Sequence, residues 1–161
     1  MITIIPLPHN SDKWLINKLY IPRDLESLVN FVAKLTIGHV APFRQNEVVV
    51  NIHAASPKYI RFLNRRYRNK DKPTNVLSFP ADALPDDIED MCRELGDVFI
   101  CMEVIQKEAE ELQKPLREHL SRMIVHGILH LMGYDHENDA DEARMLQKEG
   151  LILAKMGINL D

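Results

Sequence analysis

The apolar positions of this chain change period several times, and each change marks an element. Residues 2–5 form a β-branched run that predicts a short strand, cut off by Pro6 and Pro8. No period holds between Pro8 and Pro22, where Trp14, Leu15, Leu19 and Tyr20 read as an insertion packed on the core. Leu25, Leu28, Val29, Val32 and Leu35 then recur at helical spacing, with Asp24 as the expected N-cap and Gly38 as the stop. The continuous apolar centre of Glu47–Ile52 predicts a strand buried on both faces. Ser56-Pro57 supplies a capping hydroxyl and then proline at the first helical position, where its missing N–H costs nothing. Ile60, Leu63 and Tyr67 are the expected buried stripe of that helix.

The second half alternates in the same way. Residues 74–79 should be extended and end at Pro80, and the acidic residues 81–95 should form an exposed loop. Gly96–Cys101 predicts a strand, and Glu103–Gln113 a helix buried through Val104, Ile105, Ala109 and Leu112. After Lys114-Pro115, residues 116–132 give the longest apolar-periodic helix. Asp139 followed by Glu142 resembles a capping box, starting a last helix that ends near Gly157. The expected fold class is therefore α/β (α+β), a small mixed β-sheet covered by helices with the 116–132 helix at the centre. With 161 residues and no linker or repeat, residues 1–161 are expected to form one domain.

Composition adds little until its distribution is considered. Hydrophobic content of 45% and charged content of 27% fit a water-soluble globular protein. No run approaches the roughly 18 apolar residues of a membrane span. The N-terminus lacks a signal peptide's basic start and apolar core, so a cytoplasmic location is expected. Cys92 and Cys101 belong to no CxxC pair and read as reduced thiols with no disulfide partner. A net charge of −4 argues against a general nucleic-acid coat. Yet Lys58, Arg61, Arg65, Arg66, Arg68, Lys70 and Lys72 face only Asp71 within one short segment. Charge alone leaves two readings open, a solvated helix face or a local phosphate-binding surface.

The chemistry concentrates in His126-Gly-Ile-Leu-His130-Leu-Met-Gly133-Tyr-Asp135-His136. His126 and His130 are one helical turn apart and can reach one ion. On a straight helix His136 would lie about 15 Å further along the axis, so the chain must turn back first. Gly133 supplies a residue that adopts left-handed backbone without steric cost. Three imidazoles predict one Zn²⁺ per chain with an open position, the catalytic rather than the structural pattern, although Ni²⁺ and Cu²⁺ suit similar sites. The spacing matches the zinc-peptidase motif HExxHxxGxxH, but Gly127 stands where that motif has its glutamate base, so a metallopeptidase is a minor alternative. Asp135 has three open readings: a base, an acceptor for an imidazole N–H, or a turn residue. His9, His39, His53 and His119 lack such company and read as ordinary surface or core residues.

The His126–His136 segment resembles the signature of the YbeY family of bacterial metal-dependent endoribonucleases. Leu63–Pro80 and Leu95–Ile100 are similar to two further blocks of that family, in the family's order, within roughly residues 46–155. The resemblance implies a zincin-like fold with zinc on His126, His130 and His136. It implies action on single-stranded RNA and precursor rRNA, at the small ribosomal subunit with its assembly factors, in 16S rRNA 3′-end maturation and ribosome quality control. His126 then belongs to the catalytic set. Arg68 matches the family's essential arginine and is the expected phosphate clamp, since a guanidinium can bridge two phosphate oxygens. Lys70 and Lys72 beside it are the expected backbone contacts. Tyr67, Phe79 and Tyr134 are candidate base platforms, and core residues on the other reading. Many members carry Asp where this chain has Asn75, so no carboxylate role is assigned there. The rival from another class is a non-catalytic ribosome-associated module that zinc merely holds together. A water-dependent attack on phosphorus and an attack by the RNA 2′-OH both remain open.

Overall fold

The computed structural model describes residues 2–4, 21–40, 48–82 and 93–160. The elements run β1 (Ile2–Ile4), α1 (Arg23–Val40), β2 (Val48–Ala54), α2 (Pro57–Arg68), β3 (Val76–Pro80), β4 (Arg93–Ile100), α3 (Met102–Glu111), α4 (Leu116–Leu131) and α5 (Asp139–Ala154). The four strands lie in the order β1-β2-β4-β3. β1 and β4 run parallel to β2, and β3 runs antiparallel to β4, pairing Val76 with Ile100 and Phe79 with Asp97. The mixed α+β sheet expected from the sequence is thus present.

Alternation along the strands sorts the two faces. Val50 and Ile52 of β2 and Val98 and Ile100 of β4 join Val29 and Val32 of α1 and Leu120, Ile124 and Ile128 of α4 in one fully buried cluster. Each such side chain contributes about 1.5–3 kcal/mol on leaving water. A smaller cluster of Ala55, Ile60, Leu63, Leu77 and Cys101 lies against the half-buried rings of Tyr59, Phe79 and Phe99. α4 is central: it packs on α1, α3, α5, β3 and β4. Gly127 permits its close approach to the sheet, since a Cβ there would lie 2.8 Å from Val98 Cγ1 and 3.1 Å from Val76 Cγ2. Ser78 Oγ on β3 donates to the Gly127 carbonyl at 2.8 Å and ties helix to strand.

Several local expectations shift. α1 begins at Arg23, because the Pro22 carbonyl accepts from Leu25 and Glu26; Asp24 sits in the first turn, where its charge suits the helix dipole. The helix runs through Gly38 to Val40, since one interior glycine costs only about 1 kcal/mol and Val40 still packs on the core. β2 is not buried on both faces: Val48, Val49 and Asn51 are half-buried. Tyr67 is 54% exposed, with its ring edge-on against Phe79 at 5.2 Å between centroids. β4 starts at Arg93 rather than Gly96, because residues 93 and 94 already pair with Val48 and Val49. Asn138 caps α5 instead of Asp139, its side chain accepting from Ala140 and Asp141 N–H. The proposed insertion at Trp14, Leu15, Leu19 and Tyr20, and most of the 81–95 loop, lie outside the described residues.

Candidate metal centre

The end of α4 brings the three histidines together. His126 and His130 leave one side of the helix, and α4 stops at Leu131. Gly133 takes φ +89°, a left-handed value, and the Tyr134 N–H returns to the Leu129 carbonyl at 3.0 Å. The chain then reverses and delivers His136, whose N–H donates to Asp135 Oδ1 at 2.7 Å. One ligand atom from each of His126, His130 and His136 lies within 4.8 Å of the others. His126 Nε2 and His130 Nε2 are 3.0 Å apart. Adjacent donors of a tetrahedral zinc site stand roughly 3.3 Å apart, given Zn–N bonds of about 2.0 Å, so this donor set fits one ion.

The proton positions favour ligation. Glu149 of α5 is 1% exposed, and its Oε1 lies 2.5 Å from His126 Nδ1. With the carboxylate accepting, Nδ1 is the donor, and Nε2 is the atom left facing the cluster. Among the described residues Glu149 Oε2 accepts no hydrogen bond; Arg122 Nε stands 3.5 Å away, an ion pair without hydrogen-bond geometry. Burial, then the neighbouring charges of His126 and His136, pull the His130 pKa down to about 4. His130 is therefore neutral, the form that binds metal, at ordinary pH.

The other predicted residues are placed as follows. Arg68 ends α2, donates from Nη2 to the Ser78 carbonyl at 3.0 Å, and lies over Phe79 with its Cζ 5.6 Å from the ring centroid. Because Ser78 also holds Gly127, Arg68 is two contacts from His126. Lys70 and Lys72 are exposed on the turn after α2, held through their backbones by Asn64. Asp135 is half-exposed and shapes the turn into His136.

Sequence reasoning missed Glu149, although a glutamate on the α5 stripe of Met145, Ile152 and Leu153 was the available signal. It read His53 and His119 as ordinary surface or core residues; both are buried, each against a carboxylate that the sequence did not reveal. Buried His53 meets Asp97 at 2.6 Å and stacks on Phe99, while buried His119 meets Glu108 at 2.7 Å.

Comparison with known proteins places the chain in a family. A family model described as "Endoribonuclease YbeY" matches residues 15–157. The chain belongs to the YbeY family. An endoribonuclease YbeY of Sinorhizobium fredii is 40% identical over 129 residues, covering 80% of this chain and 73% of the relative. One from Halorhodospira halophila is 49% identical over 98 residues, 61% of this chain. That match spans 64% of the Halorhodospira protein, a little under two thirds of its length. The solution structure of TM1509 from Thermotoga maritima is similar at a TM-score of 0.54 and 28% identity, over 96% of this chain and 88% of that one. Family membership bears out the resemblance of the motif blocks, and the position of Gly127 fits a chain outside the peptidases.

Proposed function

We propose that this protein is a metal-dependent, single-strand-specific endoribonuclease that acts on precursor rRNA, at the 3′ end of 16S rRNA, and in quality control of the small ribosomal subunit. The observation that carries the reading is the cluster of three imidazole donors within 4.8 Å, beside a strand that anchors Arg68. The name of the matching family and of its relatives supports the activity. His126, His130 and His136 hold the ion, taken as Zn²⁺, which when bound supplies Lewis-acid stabilisation of charge on a phosphoryl oxygen. Arg68 holds the scissile phosphate, and Lys70 and Lys72 contact flanking phosphates. Glu149 keeps His126 in its ligating tautomer. Asp135, whose carboxylate accepts from the His136 backbone N–H, is the candidate to accept the nucleophile's proton. Cytoplasmic work at the ribosome fits this reading. Among the described residues no helix is long and apolar enough to cross a membrane.

The test combines metal analysis with cleavage of a single-stranded RNA carrying the 3′ end of the small-subunit precursor. Wild type should hold about one metal ion per chain and cut the RNA. His130→Ala should lose metal and cleavage together, and Arg68→Glu should lose cleavage alone. Bound metal without cleavage, even on assembled small subunits, would sink the nuclease reading in favour of a structural module. Mapping product ends separates the two chemistries, since attack by the 2′-OH leaves a 2′,3′-cyclic phosphate and a 5′-OH.

A further inference from the structure

α2 carries more than it needs to cover the sheet. Only Ile60, Leu63 and Asn64 are buried among its twelve residues. The rest of the helix holds Lys58, Arg61, Arg65, Arg66 and Arg68 and no acidic residue, in a chain of net charge −4. Two large aromatics also face water, Phe62 at 53% and Tyr67 at 54% exposure. An exposed ring among cations is the combination that base stacking beside phosphate contacts requires.

We propose that this outer face of α2 is a docking surface for single-stranded RNA beyond the metal centre, with Phe62 as a base platform and Arg65 and Arg66 as phosphate contacts. The proposal rests on the nuclease reading for its choice of RNA. Rings and guanidiniums are arranged for it. Tyr59 lies beneath Phe62, with centroids 6.3 Å apart and planes 20° apart, and this backing holds the Phe62 ring in place. Arg66 Cζ stands 5.8 Å from the Tyr67 centroid, within reach of a cation–π contact. Phe62 and Arg66 share a flank one helical turn apart. Arg61 is excluded, because it is spent on Asp71 at 2.9 and 3.2 Å. Exposed π-faces need unstacked bases, which selects single strands over duplex. Arg68 at the end of α2 bonds the Ser78 carbonyl, and Ser78 bonds Gly127 beside His126.

The experiment is a fluorescence-anisotropy titration of a labelled 12-nucleotide single-stranded RNA with the full-length protein at several salt concentrations. Phe62→Ala should weaken binding about tenfold, and Phe62→Trp should restore it, because every base stacks on either ring. The double variant Arg65→Gln, Arg66→Gln should lower the slope of log K against log salt by about 1.4, from roughly 0.7 per lost phosphate contact. Thermal melting confirms that each variant is folded. Affinities within twofold of wild type and unchanged slopes would overturn the proposal, while RNA cleavage by the same wild-type protein would leave the nuclease reading standing. Conversely, Phe62-dependent binding by a wild type that never cuts RNA would keep this surface and remove that reading. A tenfold loss of polyglutamate affinity in Phe62→Ala, with RNA affinity unchanged, would assign the face to an acidic protein and overturn the proposal.

Discussion

α4 and α2 solve the same problem in opposite ways. Each ends next to a residue assigned to the chemistry, His130 and then His136 for α4, Arg68 for α2. α4 is held by burial: ten of its sixteen residues are buried, among them Gly127, pressed against β3 and β4. α2 has three buried residues, and its final arginine is placed by a hydrogen bond and a ring. A metal centre needs ligand atoms fixed to a fraction of an ångström, and a packed core gives that rigidity. The phosphate contact proposed for Arg68 would need charge at the surface, and a half-exposed helix supplies it. The two regions should therefore fail differently when altered.

The sharpest break is Gly127→Glu, which restores the residue type of the peptidase motif. A side chain there meets Val98, Val76 and Ser78, where α4 lies close against the sheet. Forcing a carboxylate into that space should cost about 3 kcal/mol or more and remove metal binding, without creating peptidase activity. Urea unfolding and metal analysis check it. A stable, metal-loaded variant would show that α4 is not set by close packing. Next comes Glu149→Ala, which leaves the fold's outline but frees His126 Nδ1. Metal affinity should fall tenfold to a hundredfold in a chelator competition, whereas Glu149→Gln, which can still accept from Nδ1, should lose much less. Equal affinity in all three proteins would strip Glu149 of its orienting role.

A smaller effect is expected at the connection between the helices. Asn75 donates from Nδ2 to both oxygens of Glu108 at 3.0 and 3.2 Å, while its Oδ1 accepts from Val76 N–H at 2.7 Å. Glu108 in turn meets His119 of α4. The amide that departs from the family's frequent Asp therefore has a partner here that an aspartate would repel. Asn75→Asp should cost about 1 kcal/mol, roughly 3 °C in Tm, at neutral pH, discounted for partial exposure. The loss should shrink as pH falls through the carboxylate range, because a protonated aspartic acid can donate again. A loss that grows toward low pH would contradict the pairing.

What the sequence made legible follows the range of each interaction. The three histidines fall within eleven residues and share one helix end and one turn, so spacing and Gly133 were enough to bring them together. The strands and helices were visible as changes of period. Glu149 was not, because its pairing with His126 spans twenty-three residues and depends on how α5 docks against α4. Tyr67 follows the stripe of Ile60 and Leu63, yet half of it is exposed, because burial depends on where the sheet and its neighbours end as well as on helical phase. The start of α5 was misplaced by one residue, since Asn138 and Asp139 are both good caps and only backbone geometry chooses between them.

The finest distinction between the two helices lies in how they stop. α4 ends before a glycine at φ +89°, and α2 ends before Asn69 at φ 57°, ψ 30°. Both conformations are left-handed, but asparagine is the side chain that tolerates the region best, and only near the value seen at Asn69. Asn69→Gly removes the remaining Cβ strain in the folded state and adds freedom to the unfolded chain. The two terms nearly cancel, so stability should rise by only about 0.3 kcal/mol. Urea unfolding of the variant measures the difference. A loss above about 1 kcal/mol would mean that the Asn69 side chain holds the turn by contacts of its own, and that the placement of Arg68 depends on more than a left-handed residue behind it.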